Sequence, residues 1–165
     1  MDHEESARLR KVAIRAALGV EDQLLAEFRA AMDIDFKRDF HDLVTVHDKA
    51  SEEKIASILL AEVPDSAIVG EEGGPRGSGR VHWRIEPIDG TADFARGIAH
   101  WCVSIAAIID DRIVAGVIFN PNTGDIFSAD LSGAWLGEKP LRSRGAANEN
   151  RATIMSVFPG ARDVR

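Results

Sequence analysis

The sequence predicts an α+β fold, two helices packed on a mostly antiparallel sheet, in one domain spanning residues 1–165. Apolar residues recur at spacings of three, four and seven within residues 5–32, at Leu9, Val12, Ala13, Ala16, Ala17, Leu24 and Phe28, as in a helix buried along one stripe. From Trp101 onward the period falls to two, the repeat of strands with one buried face. Helical segments come first and strands follow, and this order makes the class α+β.

Residues 5–32 read as one long helix with a break in its pattern around Gly19. Residues 37–41 are charged and read as a loop, and 42–45 as a short extended stretch. Asp48 reads as the N-cap of a second helix with Ile55, Ile58 and Leu59 on its buried stripe, ended by Pro64. Residues 67–69 form a strand that runs into Gly70-Glu71-Glu72 and a glycine-rich loop ending at Gly79. A strand over 81–85 stops before Pro87, which has no N–H for a ladder. Asp89-Gly90-Thr91 is a turn opening a short helix. Strands over 102–109, 113–119 and 125–129 are joined by tight turns at Asp110-Asp111 and Pro121-Asn122-Thr123-Gly124, with two more short strands at 134–136 and 153–157.

Composition narrows the function. Charged residues make up 28% and the net charge is −7, which argues against a nucleic-acid partner, because such binders carry a basic face. No apolar run approaches the roughly 18 residues a membrane span needs. The start, Met1-Asp2-His3-Glu4-Glu5, is acidic and polar, unlike a signal peptide. The single cysteine, Cys102, excludes an internal disulfide and a cysteine-based zinc cluster. Together these point to a reducing cytoplasm. His3, His41, His47, His82 and His100 lack zinc-site spacing. The loop from Gly73 to Gly79 lacks the Gly-Lys-Ser/Thr ending of a P-loop.

Acidic side chains gather where elements end: Asp48, Glu71-Glu72, and Glu86 with Asp89. Each has a structural reading, as helix cap, solvated pair or turn residue. Each also suits metal-assisted phosphate chemistry. A phosphomonoester carries about two negative charges and repels a hydroxide nucleophile. Divalent metal ions neutralise that charge and acidify bound water. Mg²⁺ is hard and takes carboxylate and carbonyl oxygens. In Glu86-Pro87-Ile88-Asp89-Gly90-Thr91, proline stiffens the turn, two carboxylates three residues apart would face one pocket, and glycine lets a ligand approach the backbone. Thr91 opens a helix whose N–H groups would hold a phosphate, which would offset the acidic net charge locally.

Asp42-Leu43-Val44-Thr45 with Asp48, Gly70-Glu71-Glu72, and Trp83-Arg84-Ile85-Glu86-Pro87-Ile88-Asp89-Gly90-Thr91 occur in order. Val103-Ser104-Ile105-Ala106, Ala115-Gly116-Val117-Ile118-Phe119-Asn120-Pro121 and Gly133-Ala134-Trp135-Leu136-Gly137 follow them. From about residue 7 to residue 157 the sequence resembles the inositol monophosphatase family of lithium-sensitive, metal-dependent phosphatases. The resemblance implies the N-terminal part of a layered α/β/α/β/α fold. It implies Mg²⁺-dependent hydrolysis of a small polyol or sugar phosphomonoester, with myo-inositol monophosphate first, two or three ions in the intact site, Mn²⁺ as a substitute, and a homodimer. It implies metal ligation by Glu71, Glu86, the Ile88 carbonyl and Asp89. Asp89, Gly90 and Thr91 would contact substrate, Thr91 with Asp48 would activate the attacking water, and Glu72 would assist the water or a further ion. Lys37 matches a family lysine near the site.

Some positions depart from the family pattern. Glu86 stands where the family has a bridging aspartate, Asp93 where asparagine is usual, and Gly73 where threonine or serine is common. The family also carries a C-terminal half with a Trp-Asp motif that completes the second metal site. Here Trp83, Trp101 and Trp135 precede Arg, Cys and Leu, so the expectation is an N-terminal portion with that half absent. Fructose-bisphosphatase-like, histidinol-phosphatase-like and bisphosphate-nucleotidase-like members share the motif. Thr91-Ala92-Asp93-Phe94 leans toward the inositol type. The alternative from a different class is a catalytically inactive metal-binding or partner-binding module.

Overall fold

The computed structural model describes residues 2–30, 34–36, 43–70, 73–142 and 145. Helix α1 (His3–Leu18) begins where the Asp2 side chain accepts the Glu4 N–H, with Glu4 and Glu5 in its first turn and Arg15 in its last, all favourable to the helix dipole. Leu9, Val12, Ala13, Ala16 and Ala17 form its buried stripe. The chain then breaks, so the long helix expected over 5–32 is two helices, α1 and α2 (Glu21–Glu27). Packing explains the break. A Cβ on Gly19 would come 2.6 Å from Ile58 Cδ1, so the end of α1 lies directly against α3 (Val46–Glu62). Val20 turns fully into the core at the same point. Because α3 starts at Val46, Asp48 lies in its first turn, not at the N-cap where the sequence placed it.

Strands β1 (Ile34–Phe36) and β2 (Leu43–Thr45) form a separate antiparallel pair. The remaining strands are β3 (Ser66–Gly70), β4 (Pro75–Gly77), β5 (Val81–Asp89), β6 (Cys102–Ile109), β7 (Arg112–Asn120), β8 (Asp125–Asp130), β9 (Gly133–Leu136) and β10 (Lys139–Pro140). They form one eight-stranded sheet in the order β10-β9-β8-β7-β6-β5-β3-β4. All neighbours are antiparallel except β3 and β5. The glycine-rich stretch after Gly70 is not wholly loop. It holds the edge strand β4, with Pro75 at its first residue, where a missing N–H is tolerated. Asp110 and Asp111 turn the β6–β7 hairpin with φ of 50° and 58°, the left-handed pair of a two-residue turn. The strand expected at 153–157 and the loop at 37–41 lie outside the described residues.

Helices α1 and α3 cover one face of this sheet. Trp83, Ile85, Val103, Ile105, Ala107, Val117 and Phe119 point into that core; each fully buried large side chain contributes roughly 1.5–3 kcal/mol. The opposite face carries Ser104, Ala106, Gly116, Ala129 and Ala134 with Ile118 and Phe127, the last two 49% and 40% exposed.

Strand β5 does not stop at Pro87 but runs to Asp89. A register shift between Glu86 and Asp89 makes this feasible. Glu86 pairs with Ser104 and Asp89 with Cys102, so three steps on β5 match two on β6. The extra residue is a bulge, and it takes Pro87 out of the regular ladder.

Candidate active site

The bulge decides where the carboxylates point. In a regular strand, residues three apart face opposite sides of the sheet. Ser104 and Cys102, two apart on β6, share a face, and the bulge sets Glu86 and Asp89 opposite them. Both carboxylates therefore reach the side of the sheet away from α1 and α3. The Cys102 thiol reports this convergence. Its Sγ lies 3.8 Å from Asp89 Oδ2. Its pKa is pushed up to about 11, first by burial, then by the charge of Asp89 and the hydrogen bond to it, and last by the charge of Glu86.

Gly90 makes the next turn with φ of 97°. A Cβ there would sit 2.8 Å from the His100 carbonyl oxygen and 3.3 Å from Trp101 Cα, so only glycine fits both the left-handed backbone and the close approach. Helix α4 (Thr91–Ala95) follows, with the Asp93 and Phe94 N–H groups returning to the Gly90 carbonyl. Phe94 anchors it: fully buried, it meets Trp101 edge-on at 4.8 Å and Phe28 at 5.7 Å between centroids.

Anchored this way, Thr91 faces α3. Its Oγ1 lies 2.9 Å from the Ile88 carbonyl oxygen and 3.3 Å from Asp48 Oδ1. One hydroxyl proton thus has two acceptors. Asp48 is only 2% exposed, so its carboxylate sits in a medium where charge–dipole contacts are strong.

Asp48, Ile88 and Thr91 form one group, and Glu86, Asp89 and Cys102 a second, with Gly90 between them in the chain. Glu71, Glu72 and Lys37 lie outside the described residues. Among the described residues no three His, Cys, Asp or Glu side chains form a metal-holding cluster. The donors present, two converging carboxylates and the Ile88 carbonyl, are hard oxygens and fit Mg²⁺ in kind.

One residue escaped the sequence reading. Glu52 is 1% exposed and accepts the Gly73 N–H at 2.7 Å. A Cβ on Gly70 would fall 2.3 Å from its Oε1. Glu52 therefore lies against both Gly70 and Gly73, the residues on either side of Glu71-Glu72 in the sequence. Its available signal was the spacing of four from Asp48, which puts both on one side of α3.

A cavity of ≈ 390 Å³ opens beside Asp89 and Gly90, lined also by Asp93, His100, Trp101, Cys102, Ile118, Asn120 and Phe127. Residues 5–164 match the model of the inositol monophosphatase family. The "Nus factor SuhB" of Xylella fastidiosa is 41% identical over 112 residues, 67% of this chain and 41% of that protein. The "Inositol-1-monophosphatase" of Synechocystis is 32% identical over 151 residues, 90% of this chain and 53% of that protein. A solved IMPase from Thermotoga maritima superposes with a TM-score of 0.77 at 26% identity, covering 86% of this chain and 55% of that one. The chain spans about half the length of the curated relatives it matches. A match this continuous, on a fold shared with solved relatives, means that the chain belongs to the inositol monophosphatase family.

Proposed function

We propose that this chain is a single N-terminal domain of that family, carrying the metal-binding and water-activating part of a phosphomonoesterase for small polyol or sugar phosphates, myo-inositol monophosphate first. The observation that carries this reading is the contact of Thr91 Oγ1 with Asp48 Oδ1 at 3.3 Å, beside a strand end where Glu86 and Asp89 share a face.

Mg²⁺, held by Glu71, Glu86, the Ile88 carbonyl and Asp89, would neutralise phosphoryl charge and make water more acidic when bound. The chain's own residues do the rest. As water attacks phosphorus and the bond to the alcohol oxygen breaks, a water proton passes to Thr91 Oγ1 and the Thr91 hydroxyl proton passes to Asp48 Oδ1, while the departing alkoxide takes a proton from solvent. Asp48, buried and fixed in α3, is the base that keeps this relay pointed. Gly90 and Thr91 present backbone N–H groups to phosphate oxygens. Glu72 assists the water, and Glu52 braces Gly70 and Gly73, which flank that stretch in the sequence.

A second reading keeps the fold without turnover, as a metal-binding or partner-binding module. Glu86 in place of the family aspartate and relatives named "Nus factor SuhB" favour it. Phosphate release from inositol 1-phosphate, measured in Mg²⁺, in chelator and with added Li⁺, separates the two. The enzyme reading expects Mg²⁺-dependent, Li⁺-inhibited release. Folded protein without release contradicts it and leaves the module.

A further inference from the structure

We propose that Arg29 and Arg96 form an oxyanion site that takes a phosphate group, separate from the end of β5 and independent of the phosphatase reading above. Both line a cavity of ≈ 260 Å³ with Ala30, Ala95 and Gly97, and none of these residues lines the cavity beside Asp89. The volume falls below the roughly 300–1,000 Å³ of sites for whole small molecules, so it suits an ion or one charged group. Arg29 is built into place. Its φ of 68° is a backbone region that residues other than glycine rarely occupy. Its guanidinium carbon lies 5.0 Å from the centre of the Phe28 ring, and Phe28 packs in turn on Phe94 and Trp101. Its Nε donates to the Gly97 carbonyl at 3.2 Å. A Cβ on Gly97 would meet Arg29 Cγ at 3.1 Å, so the glycine makes room for the arginine stem. Arg96 is the C-cap of α4, and its Nη1 donates to the Ala92 carbonyl at 2.8 Å. Holding both side chains beforehand removes part of the ordering cost that a mobile arginine meets on binding.

The charge of the pair is unanswered within the protein. Among the described residues neither arginine forms an ion pair with a carboxylate, although the chain has a net charge of −7. Asp93, the acidic residue of α4, lies 3.2 Å from His100 Nδ1 instead. Two guanidinium groups lining one cavity repel each other, and an anion between them would reverse that. Both residues are exposed, so a ligand can reach them. Each spends one N–H donor on a backbone carbonyl and keeps the others. Guanidinium groups match the oxygens of carboxylates and phosphates. Two of them at one cavity favour the phosphate dianion, which has charge and oxygens for both, over a carboxylate, which one arginine satisfies. The ligand chemistry is therefore a phosphate group, either free phosphate or the end of an ester.

The test is calorimetric binding to the full chain in chelator, without Mg²⁺, with inorganic phosphate, inositol 1-phosphate and acetate as probes. Inorganic phosphate should bind at one site with a Kd of about 1 mM, and acetate about tenfold more weakly or worse. Arg29→Gln and Arg96→Gln, both folded by circular dichroism, should each weaken phosphate binding about tenfold or more. Thr91→Val, at the end of β5, should leave it unchanged. Equal affinity for inorganic phosphate and the ester would show that the phosphate group alone is read, and a tighter ester, lost in either arginine variant, would make the ester the source. No phosphate binding in chelator would overturn the proposal. So would binding indifferent to both arginine variants, which would leave the two side chains as ties on α4, an equal loss in Thr91→Val, or acetate binding as tightly as phosphate. None of these outcomes decides the phosphatase reading, which needs Mg²⁺.

Discussion

The Thr91 hydroxyl oxygen lies 3.3 Å from a carboxylate oxygen of Asp48, although the two residues are 43 positions apart. Thr91 opens α4, and Asp48 is buried in the first turn of α3. The contact exists because Phe94 pins α4 to the core and Gly90 permits the sharp approach to it.

If this pair handles the proton of the attacking water, Asp48→Asn should lower phosphate release by about 10²-fold or more, with far less effect on the melting temperature. Thr91→Val should cost a similar amount. The double variant should be little worse than either, because the two act as a unit. Additive losses in a double-mutant cycle would count against the relay.

Glu86 tests the metal assignment. Its side chain is longer than aspartate by one methylene, and Mg²⁺ tolerates little distortion of its shell. Glu86→Asp should tighten Mg²⁺ binding by about threefold to tenfold, read by competition with a fluorescent Mg²⁺ indicator. Unchanged or weaker binding would defeat the assignment.

The Cys102 thiol, with a pKa of about 11, is protonated at neutral pH, and its thiolate appears only as pH rises toward that value. In metal-free protein at pH 8, about one thiol in a thousand is ionised. Alkylation by iodoacetamide should be roughly tenfold or more slower than for an exposed cysteine. Asp89→Asn removes a negative neighbour, so it should lower the thiol pKa and speed the reaction. No change in rate would mean that Asp89 does not face Cys102.

The β6–β7 hairpin offers a stability test away from the site. Asp110 and Asp111 both hold positive φ, which costs aspartate more than asparagine or glycine. Replacing the pair with Asn-Gly should stabilise the fold by about 0.5–1 kcal/mol, seen as a higher midpoint in urea.

Sequence legibility followed locality. The sheet from β6 to β8 was readable because its alternation and turns are local signals. The bend at Gly19 was visible as a break in the helical pattern, but its cause is the approach of Ile58, which no local pattern encodes. Strand β5 was read too short because proline disfavours a ladder, and the bulge that accommodates it depends on pairing with β6. Asp48 was read as a cap for want of any sign that α3 starts at Val46. The Asp48–Thr91 contact was expected from family resemblance, since nothing in the spacing of the two residues implies it. Glu52 was passed over because a buried glutamate inside a helix looks like a solvated one until its neighbours are known.

The proposed chemistry depends on a divalent cation held at the end of β5 by Asp89 and its neighbours. The most direct measurement is a calorimetric Mg²⁺ titration of the native chain beside Asp89→Asn. Saturable binding is expected in the native chain and its loss in the variant, both proteins being folded by circular dichroism. No binding to the native chain, or equal binding to both, would contradict it.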